Sequence, residues 1–168
     1  MTVPVKCNCM IFVEQSGGTN ILRGCSYHTI DPKGRIIVPV RFRDSISASG
    51  TDSLMISRMD QCLVAYTLPE WQKIENRILS LVEKSEAMRR FRRVFIGGAF
   101  ECPCDRQGRI LIPPSLRQYA VLDKEIVMVG VLDHFEIWSR ENWDQENLTM
   151  DTDMKKEDVR NEIARLGL

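Results

Sequence analysis

The sequence is poor in the residues and segments that most function classes require. It has two histidines, His28 and His134, neither with a clear nucleophile partner, and no apolar run approaches the length of a membrane span. Its six cysteines include two C-x-C pairs, a spacing shorter than that of zinc ligands. The sequence therefore predicts a protein that is not an enzyme, has no metal or other cofactor and no membrane partner, and keeps reduced thiols.

Neither sign of charge is in excess. The 168 residues contain 23 Lys and Arg and 23 Asp and Glu, so the formal net charge is zero, which argues against a uniformly basic surface. The distribution is uneven, because residues 21–58 lean basic and residues 140–168 lean acidic. Local basic patches can still bind nucleic acid. At 43% hydrophobic and 27% charged, the chain is expected to form a packed core.

One short segment occurs twice. DPKGRIIVP begins at Asp31 and DRQGRILIP begins at Asp105, and the match extends upstream from GCSYHTID to GAFECPCD in the same register. Asp and Gly occupy the first and last positions of a four-residue turn in both copies. The duplication predicts two related modules, and such repeats can need each other to bury their apolar faces.

Four segments follow from this pattern. Residues 1–20 are an extension ending in SGGTN, which is typical of a flexible linker. We expect the extension to be dispensable, arising from a start assigned upstream of Ile21; the alternative is an arm that covers DNA or a subunit interface. The two modules span residues 21–85 and 86–146. Residues 147–168 form an acidic tail, either a short helix or a partly disordered segment.

Each module is predicted to contain a loop, a short helix, two paired strands and a capped helix. The helices are expected at Pro39–Ser45 and Pro114–Tyr119, and the strands at Ser53–Ser57, Cys62–Tyr66, Glu125–Gly130 and Phe135–Trp138. Thr67-Leu-Pro-Glu70 has the sequence of a capping box. The residues after it, Trp71, Ile74, Ile78 and Leu81, recur at helical spacing, which indicates core packing rather than a ligand stripe.

A cluster of arginines, RRFRR at residues 89–93, lies between the modules. It reads either as a solvated helix face with apolar anchors or as a phosphate contact, and the motif is too general to decide.

Several longer blocks resemble one protein family. LPEW, RRFRRVFIGGAFEC, ILIPPSLRQYA and KEIVMVGVLDHFEIW, together with Arg23-Gly24 and the two loops, resemble the MraZ family from about Ile21 to Trp143. The chain departs from the family pattern at its start, where Ile21-Leu22-Arg23-Gly24 stands in place of the usual Met-Phe-Arg-Gly.

The resemblance implies an α+β fold of two tandem, pseudo-symmetric AbrB-like β modules, of the swapped-hairpin or double-psi type, with flanking short helices. Such chains assemble into homo-oligomeric rings, typically octamers or dodecamers. It also implies a cytoplasmic, nucleoid-associated transcriptional regulator. Its partner would be double-stranded DNA, at repeated promoter boxes upstream of the bacterial division and cell-wall gene cluster. The first-module loop would contact DNA, with Lys33 and Arg35 as contact residues.

The residues themselves favour the first loop. A basic side chain on an exposed turn can reach phosphate or a guanine edge, and Gln107 and Ser115 replace two of the first module's basic residues. We therefore predict DNA contacts by Lys33, Arg35, Arg41 and Arg43, and turn or structural roles for Asp31, Gly34, Asp105, Gly108 and Arg109. The alternative for each Asp–Arg pair is an ion pair that braces its own turn.

A second function class remains open. The chain could be a structural ring-assembly protein that acts through protein partners, with an RNA-binding or antitoxin-like module as a weaker variant. Salt-dependent, sequence-selective duplex binding would favour the transcription regulator, and retention of a protein partner by a binding-dead ring would favour the structural protein. A ring that presents several weak loops should also bind spaced boxes much more strongly than one isolated box.

Overall fold

The structure is a computed structural model that describes residues 21–81 and 85–168. The predicted N-terminal extension, residues 1–20, lies outside the described residues. The elements in chain order are β1 (Leu22–Thr29), β2 (Arg35–Ile37), α1 (Val40–Ala48), β3 (Ser53–Met59), β4 (Cys62–Thr67), α2 (Leu68–Ser80), α3 (Glu86–Phe95), β5 (Phe100–Pro103), β6 (Arg109–Leu111), α4 (Pro114–Tyr119), β7 (Glu125–Leu132), β8 (His134–Ser139), α5 (Arg140–Asp153) and α6 (Glu157–Ala164). The order β-β-α-β-β-α therefore occurs twice, with α3 between the copies, and the expected α+β class is confirmed.

The two repeats exchange their first strands. The main sheet is antiparallel and has the order β1-β7-β8-β4-β3-β5. Strand β1 of the first repeat pairs with β7 of the second, and β5 of the second repeat pairs with β3 of the first. The hairpins β3–β4 and β7–β8 meet at the centre of the sheet, where Leu63 lies opposite Ile137. The repeats are therefore separate in sequence but interleaved in space.

A second, smaller sheet joins the repeats directly behind their loops. Strands β2 and β6 pair antiparallel, with Ile36 opposite Ile110 at the centre. We call this pair the ribbon. Ile36 and Ile110 are fully buried in the core, which also holds the stacked rings of Phe42 and Phe135, whose centroids are 4.8 Å apart. Each of these pairs takes one residue from each repeat, so the two repeats share one core.

Most of the expected elements are present. Both predicted strand pairs are found as β3–β4 and β7–β8, and α4 has the predicted bounds. Helix α1 differs: it begins at Val40, because Pro39 is its N-cap, and it extends to Ala48. The capping-box expectation was wrong in part, since Thr67 is the N-cap of α2 but its side chain makes no capping hydrogen bond.

The aromatic side of α2 packs as the sequence predicts. Trp71 and Ile78 are buried in a second core cluster, and Ile74 packs against it. The prediction was wrong for Leu81, which lies beyond the helix end and is 55% exposed. The ring of Phe95, from α3, stacks on Trp71 at 5.3 Å between centroids. Among the described residues, no helix has the length and apolar character needed to span a bilayer.

Candidate nucleic-acid interface

The first loop, residues 31–35, is held by its own aspartate. The Gly34 N–H donates to the Asp31 carbonyl at 2.8 Å and closes the turn. Asp31 Oδ1 accepts from the backbone N–H groups of Lys33 and Arg35, both at 2.9 Å. Asp31 Oδ2 accepts from Arg35 Nε at 2.7 Å and lies 2.6 Å from Arg35 Nη2. The backbone hydrogen bond from Arg35, together with its guanidinium, lowers the pKa of Asp31 below its usual value.

The second loop, residues 105–109, repeats this geometry. Gly108 closes the turn on the Asp105 carbonyl at 2.8 Å, and Asp105 Oδ1 accepts from the N–H groups of Gln107 and Arg109 at 2.8 and 3.0 Å. Arg109 Nε and Nη2 lie 2.8 and 2.7 Å from Asp105 Oδ2. The Arg109 side chain also lowers the pKa of Asp105. The ion pair that braces the turn is therefore present in both loops.

The ribbon sets the two loops at its opposite ends. Its strands are antiparallel, with Arg35 opposite Leu111 and Ile37 opposite Arg109, and each loop directly precedes one strand. Because side chains alternate along a strand, these four residues share the outer face. Ile37 and Leu111 are each 55% exposed there, while Ile36 and Ile110 point inward. The outer face thus carries one arginine and one exposed aliphatic side chain from each repeat.

Lys33 and Arg41 are the exposed cations of the first repeat's loop region. Lys33 occupies an exposed position of the turn. Arg41, on α1, donates from Nη2 to Ser26 Oγ at 3.2 Å, and its guanidinium lies 4.9 Å from the Phe42 ring centroid. A Cβ at Gly24 would lie 3.1 Å from Arg41 Nη1, so the arginine runs across strand β1. Gln107 and Ser115 occupy the matching positions of the second repeat.

Arg43 has a different position from the other predicted contacts. Its guanidinium lies against the second loop, since a Cβ at Gly108 would be 2.8 Å from Arg43 Cζ. Arg117, which matches Arg43 in the repeat register, lies against the first loop in the same way, 2.7 Å from a Cβ at Gly34. The two arginines match in the 74-residue register of the repeats, but their crossed contacts depend on long-range packing that no local pattern encodes.

The RRFRR cluster lies on α3. Phe91 and Phe95 stack with centroids 5.1 Å apart, which agrees with the interpretation of the aromatics as packing anchors. Arg90 pairs with Glu86 at 2.6 Å on the exposed side. Across the described part of the chain, no group of three or more His, Cys, Asp or Glu side chains is arranged to hold a metal ion.

These features define a two-repeat α+β protein in which each repeat presents one Asp–Arg turn to solvent. The chain belongs to the MraZ family, because the family described as "MraZ protein, putative antitoxin-like" matches residues 21–94 and again residues 95–161. One match falls on each repeat, in agreement with the family resemblance of the sequence blocks.

Relatives with the same family name are similar over most of the chain. A transcriptional regulator MraZ of Desulforapulum autotrophicum is 64% identical over 148 residues, which cover 88% of this chain and 100% of the relative. The namesake in Desulfosudis oleivorans is 55% identical with the same coverage. That in Syntrophobacter fumaroxidans is 46% identical over 127 residues, 76% of this chain and 85% of the relative. These names support a role in the regulation of transcription.

Proposed function

We propose that this chain is a sequence-specific, double-stranded DNA-binding regulator that reads promoter repeats through its first loop. One observation carries the proposal: the two loops share the same hydrogen-bonded geometry, but only the first has Lys33 in its turn and Arg41 on the helix that follows. Since the turn itself is common to both repeats, the added cations are the feature that the fold does not require.

The geometry of the first loop suits contacts to DNA. Lys33 is exposed and can reach a phosphate as a flexible point charge. Arg35 uses Nε and Nη2 for Asp31, and a guanidinium has five N–H donors, so donors remain for a guanine edge. The Asp31 contact also fixes the direction of the Arg35 side chain, which reduces the ordering cost of binding.

The second loop is proposed as scaffold. It has one exposed cation in its turn, Arg106, but this residue lines a surface pocket together with Asp44 and Asp52. The neighbouring carboxylates partly offset the positive potential there. Gln107, at the position of Lys33, carries no charge.

Arg43, the fourth proposed DNA-binding residue, has a different role from Lys33, Arg35 and Arg41. Its guanidinium is already in contact with Gly108, and its Nε is buried. We infer that Arg43 adds positive charge next to the loops and supports the second loop, while the other three residues provide the direct contacts.

The wider setting of the proposal comes from the family resemblance. We propose an AbrB-like, swapped-hairpin arrangement of the repeats, a homo-oligomeric ring, and promoter boxes upstream of division and cell-wall genes, with the protein on the nucleoid in the cytoplasm. The near-neutral net charge is compatible with this function if each loop binds weakly and the ring presents several loops to several boxes.

The two repeats of the chain provide a matched test of which loop contacts DNA. Lys33→Gln gives the first loop the residue of the second, and Gln107→Lys makes the reverse change at the same turn position. We expect Lys33→Gln to weaken binding to the duplex upstream of the chain's own gene and to reduce the magnitude of the salt slope by about one. Gln107→Lys should leave both nearly unchanged in a fluorescence anisotropy titration. Equal effects of the two variants would contradict the assignment.

The ring hypothesis has a separate test. A duplex with one box should bind far more weakly than a duplex with correctly spaced repeats, because linked loops raise the local concentration. Equal affinity per box in the two duplexes, with the oligomer intact by light scattering, would mean that linkage does not contribute.

A structural protein that acts through protein partners is the second candidate. The observation in its favour is the set of exposed apolar side chains on α5 and at its C-cap, Leu148, Met150 and Met154. A variant with Lys33→Gln and Arg35→Ala that still captures the same cellular partner as the unmodified chain would support this function over DNA binding.

A further inference from the structure

We propose that Arg117, in the second repeat, is a positioning residue for the first loop; this rests on the proposed DNA-binding function of that loop. Arg117 lies on α4, which follows the ribbon strand β6. No local sequence feature links it to Asp31–Arg35, because the two segments belong to different repeats.

The contact between the Arg117 guanidinium and Gly34 is close. A Cβ at Gly34 would lie 2.7 Å from Arg117 Cζ, 2.8 Å from Nε and 3.0 Å from Nη1, so the guanidinium plane lies against the glycine backbone. Arg117 Nε is buried without a hydrogen-bond partner. Burying an N–H in this way costs free energy unless packing compensates for it. The arginine is therefore held here by the fit of its plane to Gly34 rather than by a hydrogen bond from Nε.

The equivalent contact occurs between the other loop and the other arginine. Arg43 of the first repeat lies against Gly108 of the second loop, and its Nε is also buried without a partner. The ribbon links the loops crosswise too, since Ile112 donates to the Gly34 carbonyl and Val38 to the Gly108 carbonyl, both at 2.9 Å. Because Arg43 and Arg117 occupy equivalent positions and have the same glycine contact and buried Nε, the contact is a property of the paired repeats rather than of one side chain.

The physical role follows from where Gly34 lies. It has φ +84° and stands between Lys33 and Arg35, the two proposed contact residues. Glycine is the most flexible residue, so a loop pivoting on it needs outside support to hold one conformation. Its N–H is fixed by Asp31, its carbonyl by Ile112 and its Cα by the Arg117 plane. Such preorganisation raises affinity by lowering the cost of ordering the loop on binding.

The first experiment measures affinity. Arg117→Ala and the stem-retaining Arg117→Met should each weaken binding of the full chain to its upstream duplex by about tenfold, the effect of one interaction of ordinary strength. Arg117→Lys should not restore affinity, because lysine keeps the charge but lacks the plane. Arg160→Met, on α6, is the control for loss of one positive charge and should change affinity by about twofold or less. Full rescue by lysine would overturn the proposal in favour of a simple charge effect.

The second experiment observes the loops without DNA. Hydrogen exchange at the Lys33 and Arg35 amides, which donate to Asp31 Oδ1, should become faster in Arg117→Met, while the Gln107 and Arg109 amides stay unchanged. Arg43→Met should have the opposite selectivity. Unchanged exchange in the first loop would overturn the positioning role even if the unmodified chain binds DNA. If the unmodified chain does not bind, the proposed function fails, and exchange alone decides whether Arg117 orders the loop.

Discussion

Comparing Arg35→Ala with Arg109→Ala separates the role of these arginines in stabilising their turns from a role in binding DNA. Each variant removes a guanidinium that braces its own turn. The distances to the aspartate Oδ2 are 2.7 and 2.6 Å for Arg35, and 2.8 and 2.7 Å for Arg109. The arginine side chains are 32% and 28% exposed. Because the lost contacts match so closely, we expect the two variants to lower the midpoint of thermal unfolding by the same small amount.

The effect on DNA binding should differ strongly between the two variants. A bidentate arginine–guanine contact contributes about 1–3 kcal/mol, which corresponds to roughly 5- to 150-fold in affinity. Lys33, near Arg35, is exposed, whereas the cation near Arg109, Arg106, shares a surface pocket with Asp44 and Asp52. Under the proposed function, Arg35→Ala should therefore lose this factor and Arg109→Ala should not. The difference between the variants cancels the shared effect of a loosened turn, which a single variant cannot do.

The assay combines three measurements on the full chain. Anisotropy titration gives the affinity for the upstream duplex, light scattering gives the oligomer size, and thermal unfolding gives the stability. The reasoning is refuted if both variants lose affinity equally, since the turn geometry alone would then control binding. A change of oligomer size in Arg35→Ala alone would instead identify Arg35 as an assembly residue.

Three further predictions concern the fold. Phe42→Ala removes the stack on Phe135 between the repeats and should lower the free energy of urea unfolding by about 3–5 kcal/mol; a loss below about 1 kcal/mol would contradict a shared core. Gly34→Ala should destabilise the chain more than Gly50→Ala, because both glycines have positive φ (84° and 80°) but only Gly34 faces Arg117; equal unfolding midpoints would argue against that contact. Burial lowers the pKa of His134, but hydrogen bonds to nearby carboxylates outweigh burial and raise it above 6.5, so His134 should contribute stability that is complete below pH 6.5 and lost as the pH rises through the raised value. His134→Gln should remove this part of the pH dependence of the unfolding midpoint.

The sequence predicted the elements of the fold better than their partners. Alternating and β-branched residues identified β3, β4, β7 and β8, and the helical spacing after Thr67 identified α2 and its buried Trp71. Periodicity says that a strand has a buried face, but it does not say which strand lies beside it. The exchange of β1 and β5 between the repeats could therefore not be predicted from the pattern, although the duplication indicated that each copy could need the other to bury its apolar face.

The candidate site was predictable as far as it is local. The spacing of Asp31, Gly34 and Arg35 predicts a short turn. In the structure, the Asp31 side chain accepts hydrogen bonds from Lys33 and Arg35, both within that turn. Arg117 was not identified as part of the site, because its distance in sequence from Gly34 hides a contact that depends on the pairing of β2 with β6. A register comparison of the repeats could have identified Arg43 and Arg117 as equivalents, but not the loops that they contact.

The crossed contacts give a physical basis for the proposal that two loops of the same geometry have different roles. Each turn is stabilised internally by its aspartate and contacted from outside by an arginine of the other repeat, so its backbone does not depend on the side chain at the third position of the turn, Lys33 or Gln107. Lys33 and Gln107 can therefore differ without a cost in folding, because neither side chain supports the turn. Under the proposed function, this arrangement leaves the first loop free to contact DNA through Lys33 while the second loop maintains the structure.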